Sequence, residues 1–429
     1  MSSAIRAKET DPRAGFEYPG GIHPVLHIAL WPVRVAIVIW STVSMIGIFA
    51  LASVLHALRM LLGAVPGVRR AGGWLVDRYH AMLMPLARRV MVDPRNEPIL
   101  AAVISLAITA LPIFAAQLVL YEINYYLVLA FYAFVFGPNV RAYVRSFSAL
   151  HQEGHRNGLK GRSPYEKACG SSFFYAFLCV VSGLIPHAVG HTQQHHRENG
   201  NRIDAFASHR YDHSNLWHFL RYMERDVVYQ QFMVTPYLYF MSKGRHTQAG
   251  IMIKGNLVYL AVLLPVAIYS WEIALWYMLV PWGASNFLSG VIHWTQHAFY
   301  GGRRDYDNFM TNTITLKESP VNFLNEGYHL CHHHSPGRHW SESPALFEEL
   351  RDDLKKADAI VFRDIGVTDF FLLMTVLRAF GVLARKYESW EPMSHEAKIA
   401  HLKLRAKPAG TFSETEVDVR PRELSGVSS

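Results

Sequence analysis

The sequence predicts an all-α integral membrane protein, with about four transmembrane helices in two hairpins and a cytosolic helical cap. Three observations carry this expectation. Hydrophobic residues make up 51% of the 429-residue chain and charged residues only 18%, against roughly 25% charged in an average soluble domain. The apolar residues fall in runs that approach or exceed the roughly 20 needed for a membrane span. The basic residues lie between those runs, as cytoplasmic loops require. The formal charge of +8 therefore calls for a bilayer and no nucleic acid.

The elements follow in chain order. The first long apolar run, Leu30 to Val65, begins well past residue 20, so the chain is expected to insert through its own spans and not through a cleaved signal. It exceeds one span and reads as one long tilted helix or two poorly separated ones, with Arg34 placed to snorkel. Arg69, Arg70, Arg78, Arg88, Arg89 and Arg95 then alternate with Trp74, Leu75, Met82, Met84 and Leu86, the pattern of an amphipathic interfacial segment. Residues 1–98 thus form an N-terminal segment with a membrane helix and a basic amphipathic region.

From Ile99 to Val144 two spans are joined by the break Tyr121 to Tyr126. Ser171 to His187 is apolar but short, a re-entrant or cap helix. A second hairpin runs from about Gly255 to Ile292, with its break around Tyr269 to Glu272. Both hairpins return the chain to one face, and Arg141, Arg145, Arg156, Lys160, Arg162, Lys167 and Arg197 mark that face as cytosolic. Residues 99–342 hold the chemistry and residues 343–406 a cytosolic or interfacial helical region. Within the latter, FEELRDDLKK reads as a solvated helix and Val367 to Tyr387 as an apolar helix placed at the membrane surface. Residues 407–429 have the composition of a disordered tail. Cys169, Cys179 and Cys331 form no CxxC pair and no even disulfide set, which fits a reducing setting.

The chain has 23 histidines, more than random usage would place. Four clusters stand where apolar segments end: His151 and His155 in HQEGH, His191, His195 and His196 in HTQQHH, His293 and His297 in HWTQH, and His329, His332 and His333 in HLCHHH. Residues three or four apart share a helix face, so each pair can offer two imidazoles to one metal ion. One ligand from HWTQH and all of the other three clusters make nine nitrogens. That is too many for one ion, which takes about four ligands as zinc does, and enough for two. Imidazole alone leaves iron, zinc, copper and nickel open. His209 and His213 also stand four apart, but their polar surroundings read as a solvated cap helix.

These clusters resemble the histidine boxes of the membrane fatty acid desaturase and hydroxylase superfamily. HQEGH is similar to the first box, HTQQHH to the second in its longer HxxxHH form, and HLCHH to the third, across roughly Ile99 to His339. The family has a further ligand after the second hairpin, where His297 falls, with His293 four residues before it. The resemblance implies metal ligands at His151, His155, His191, His195, His196, His297, His329, His332 and His333. It also implies two Fe2+ ions on the cytosolic face, O2 as co-substrate, a fatty acyl or other lipid substrate, and attack on unactivated C–H bonds. Ligating histidines usually pass their second N–H to a carboxylate or carbonyl. His293, His187, Glu153, Asp204, Asn325 and Glu326 are the candidates for such support or for further ligation.

Within that resemblance an acyl desaturase is the leading expectation, and a fatty acid or alkane hydroxylase the alternative. A non-catalytic metal-binding membrane protein is the reading from another class. A zincin would need glutamate directly after the first histidine, where this chain has Gln152. A fused cytochrome b5 domain would bring an HPGG haem motif, but only YPGGIHP occurs near the start. The expected electron donor is a separate ferredoxin, rubredoxin or cytochrome b5 with its reductase. Trp282, Trp294 and Tyr300 are candidate pocket residues.

Overall fold

A computed structural model of the chain describes residues 22–137, 148, 151–152, 155, 158–160, 188–198, 204–301, 315–316 and 323–408. The chain is mostly helical. The run that reads as one span or two is a single helix, α1 (Trp31–Gly63). No proline interrupts it between Pro32 in its first turn and Pro66 beyond its end. Its buried residues Arg34, Val38, Ser41, Ser44 and Ile48 recur at helical spacing. Arg34 does not snorkel. It is buried, pairs with Glu224, donates to the His27 carbonyl at 2.8 Å and lies over the Tyr229 ring. Glu224 and the His27 carbonyl offset part of the cost of burying the guanidinium.

α2 (Pro66–Val90) carries the arginine-rich segment, and Ala87 is its one buried residue. Trp74, Leu75, Val76 and Met82 are exposed on it, as an interfacial helix would leave them. α3 (Glu97–Leu120) and α4 (Tyr125–Phe136) form the first hairpin. Its tip is fixed by side chains. Gln117 donates to the Glu122 carbonyl and accepts from the Asn124 N–H, while Asn124 caps α4.

Beyond α5 (Leu216–Tyr222) and α6 (Val234–Ser242) comes the second hairpin, α7 (His246–Tyr269) and α8 (Val280–Gln296). The break falls at Ser270, which caps Trp271–Ala274, and a π turn at Leu275–Leu279 leads into α8. The two tips touch, with Tyr269 donating to the Leu118 carbonyl at 2.9 Å and its ring against Tyr121. α1, the segment Pro94–Leu120 and α7 are long and apolar enough to cross a membrane. α8 packs along α1 through small residues. A Cβ at Gly283 would stand 2.9 Å from Trp40 and Ser44, and Asn286 donates to Ser41 at 2.9 Å.

The C-terminal region departs from expectation in three ways. The apolar stretch from Val367 is not one surface helix. The helices here are α9 (His329–His334), α10 (Ser343–Glu349), α11 (Arg351–Lys356), α12 (Val367–Phe371), α13 (Phe380–Lys386) and α14 (His395–Arg405). α12 and α13 are separated by a π turn and a break in which Arg378 has a φ of 53°. Phe370, Phe371, Met374, Phe380 and Leu383 are buried in a core shared with Val291, Trp294 and Phe299. Second, β1 (Val361–Phe362) and β2 (Tyr387–Glu388) pair antiparallel, a short strand ladder in a fold expected to be all helix. Third, Lys407 is not loose: its Nζ lies 2.6 Å from Asp212. The segment 171–187 and residues 409–429 lie outside the described residues. α10 and α11 do carry the i,i+3 charge pairs expected of FEELRDDLKK, yet bury Leu346, Phe347 and Leu354.

Candidate metal centre

Each histidine cluster reaches the centre by a local device. His151 and His155 are four residues apart in sequence and their ring centroids lie 5.6 Å from one another. HTQQHH forms a π turn, His191–His195, in which the His196 N–H bonds the His191 carbonyl. An α-helix would point residues five apart in different directions, whereas i→i+5 bonding stacks them. The His191 and His196 Nε2 atoms accordingly stand 3.1 Å apart. The longer second box is thus accommodated by one wide turn. His297 ends α8 with non-helical backbone, which swings its ring off the helix axis. α9 carries the third box, presenting His329, His332 and His333.

The structure brings all nine of these histidines together. Ring nitrogens of His151, His155, His191, His196 and His332 form one group and those of His195, His297 and His333 another, each within 4.8 Å. His329 joins the second, its Nε2 3.0 Å from that of His297. The groups adjoin, with the His196 and His333 rings stacked 4.3 Å apart. His332 Nε2 lies 3.1 Å from His196 Nε2. Spacings near 3.0 Å match the edge of a nitrogen shell around an ion about 2.1 Å from each ligand. Moreover, the buried Nε2 atoms of His151, His155 and His195 have no hydrogen-bond partner among the described residues. Such burial is costly unless a ligand satisfies the group, so the donor set fits metal ions.

Two carboxylates stand behind the rings. The His195 Nδ1 lies 2.8 Å from Asp204, which is fully buried and also accepts from the Phe206 N–H. The His151 Nδ1 lies 2.9 Å from Glu326. Glu326 is presented by two left-handed residues, Leu324 and Asn325. Both carboxylates orient a ring so that Nε2 faces the centre. Burial first, and neighbouring imidazoles second, hold His191, His196, His297, His329, His332 and His333 well below the usual histidine range. The same causes push His155 down to about 2. These rings are therefore neutral, the form that binds metal.

The family model for fatty acid desaturases matches residues 126–364, more than half of the chain, and that span contains all nine histidines. The chain belongs to the fatty acid desaturase family. No curated protein and no solved structure matched it. The family is membrane-bound, and the three long apolar helices agree with that.

Other candidates fall elsewhere. His293 lies outside both groups, one turn before His297, its ring centroid 6.3 Å from that of His195. Asn325 donates to the Trp340 carbonyl at 3.0 Å and serves the turn. His187 and Glu153 lie outside the described residues. His209 and His213 are buried, contrary to the solvated helix expected. His213 packs on Trp294 and its Nε2 lies 3.0 Å from Ser208, whose hydroxyl donates to the His297 carbonyl. Aromatic neighbours such as Tyr211 and Phe219 were the sequence signal for that burial. Trp294 is core: its ring nitrogen donates to Thr375. Trp282 packs against Phe232. Tyr300 does reach the centre, with its hydroxyl 3.4 Å from His297 Nδ1. Its closeness in sequence, three residues after His297, was the available signal.

Proposed function

We propose that the nine histidines hold two Fe2+ ions and that the protein is an O2-dependent acyl desaturase forming a C=C bond in a lipid chain. The observation that supports this reading most is the pairing of two adjoining imidazole groups with Asp204 and Glu326 behind His195 and His151. Two irons so held would supply the activation of O2 that attack on an unactivated C–H bond requires. Nitrogen ligands suit that chemistry better than thiolates, which are themselves oxidised. Cys331 sits among the third-box histidines, but burial pushes its thiol up to about 12, so it stays protonated.

The protein's own task is to orient and to exclude. Asp204 and Glu326 set ring tautomers, and burial of His195, His297, His329 and His333 keeps bulk water from the second group. Desaturation removes one hydrogen from each of two adjacent methylenes, while O2 with two electrons and two protons leaves as two waters. A separate ferredoxin, rubredoxin or cytochrome b5 with its reductase is the proposed source of electrons. Multi-pass insertion with the histidines on the cytosolic side completes the reading.

Gas chromatography and mass spectrometry of lipids from cells expressing the protein with a redox partner test it, with His191→Ala as control. A product two mass units lighter than its precursor is expected. One sixteen units heavier would make the protein a hydroxylase on the same centre. Purified protein that takes up no iron, together with unchanged lipids, would leave the desaturase reading without support.

A further inference from the structure

We propose that Arg405, near the C-terminus and outside the family-matched stretch, is a positioning residue for His297, acting through the turn that follows it. This rests on the reading of His297 as a metal ligand. After His297 the chain reverses through Ala298 to Gly301, and Phe299 takes a φ of 63°. A bulky side chain rarely adopts that left-handed conformation, so surrounding structure must hold it.

Arg405 does so directly. Its Nε donates to the Phe299 carbonyl at 3.1 Å, while Nη1 is anchored on the Asp358 carbonyl at 3.1 Å and carboxylate at 2.7 Å. The guanidinium is buried, with a side-chain exposure of 8%, so these bonds are made largely out of water. On the other side of the turn, the Gly301 N–H donates to the Arg405 carbonyl at 2.8 Å. A Cβ at Gly301 would stand 2.2 Å from the Leu404 carbonyl oxygen, an approach that only glycine permits.

The turn has a chemical consequence. It folds Tyr300 back so that its hydroxyl stands 3.4 Å from His297 Nδ1, leaving Nε2 toward His329. The C-terminal segment also grips the strand of chain beneath His297. The Ala406 carbonyl accepts from the His213 N–H at 2.9 Å, and Lys407 pairs with Asp212. His213 in turn contacts Ser208, the hydroxyl that donates to the His297 carbonyl. Residues 404–407 therefore brace His297 from both directions.

The test uses purified full-length protein loaded with Co2+, comparing metal affinity, metal per chain and the cobalt absorption spectrum. Arg405→Met and Gly301→Ala are expected to weaken the more weakly held metal equivalent by about 10–100-fold, the usual effect of disturbing a ligand's supporting contacts. The cobalt spectrum should change while thermal unfolding stays cooperative. Arg405→Lys should fall between, because an ammonium keeps the charge without the fork that serves two carbonyls. Lys403→Ala, on the exposed side of α14, is the unchanged control. If His297→Ala alters spectrum and affinity but Arg405→Met leaves both as in the wild type, the brace is refuted and the ligand reading stands. If His297→Ala itself changes neither, the ligand reading fails and the proposal falls with it. Should Arg405→Met not fold, a wild-type spectrum in Arg405→Lys together with Gly301→Ala would refute the brace.

Discussion

The two histidine groups reach similar ends by different means. The five-histidine group draws on His151, His155, His191, His196 and His332, supplied by the three boxes and supported by Glu326. The other group gathers His195, His297 and His333, with His329 beside His297, and leans on partners scattered along the chain. Asp204, Ser208, Tyr300 and, through the turn, Arg405 hold it. A histidine group made of short motifs carries its own geometry, whereas one completed by a helix end needs bracing from elsewhere.

Removing one histidine from each group should have the largest effect. His191→Ala and His297→Ala are each expected to lower lipid oxidation to background while the protein remains in the membrane. Activity retained in either would remove that histidine from the ligand set.

The next effect is on stability and does not separate the groups, because both contain neutral buried rings. His155, His191, His196 and His332 in one and His297, His329 and His333 in the other sit below the usual histidine range. Above about pH 7.5 neither folded nor unfolded rings bind protons, and stability is flat. Below it the unfolded chain binds protons that the folded state refuses, so stability falls as pH falls, by up to about 1.4 kcal/mol per unit for each ring. Metal-free protein should therefore unfold at a lower temperature at pH 5.5 than at 7.5. An unchanged transition would mean the rings are not buried neutral.

Smaller and more discriminating are the carboxylate variants. Asp204→Asn and Glu326→Gln should each weaken metal binding by about 10–100-fold. Asp204 is fully buried and Glu326 partly exposed, so Asp204→Asn should lie at the upper end and Glu326→Gln at the lower. Equal losses in metal titrations would argue against that difference in environment. Smallest is Tyr300→Phe, which removes one long hydrogen bond worth about 0.5 kcal/mol, a change of roughly twofold in affinity.

The same contrast explains what was legible in the sequence. Box spacing pointed to eight of the nine clustered histidines, and the family resemblance chose His297 over His293. Asp204 and Glu326 were recognisable as carboxylates close to boxes. The hairpins followed from hydropathy, and the break at Ser270 fell where expected. Arg34 misled because its partner, the half-buried Glu224, lies far along the chain. The stretch from Val367 misled because apolar composition cannot distinguish a membrane surface from a core that accepts Phe370 and Met374. Arg405 had no local signal at all: its value comes from Phe299, over a hundred residues away.

The π turn at His191–His195 bears on how a histidine box should be counted. A motif written as letters and gaps treats one extra residue as a different pattern. In this helix the extra residue is absorbed as width, and the flanking imidazoles keep their aim. Insertions and deletions at Gln193 or Gln194 would then act as a change of gear, sliding one wall of the centre by a residue while both ends of the helix stay in place. Motif length in such boxes is a statement about helix gauge as much as about descent.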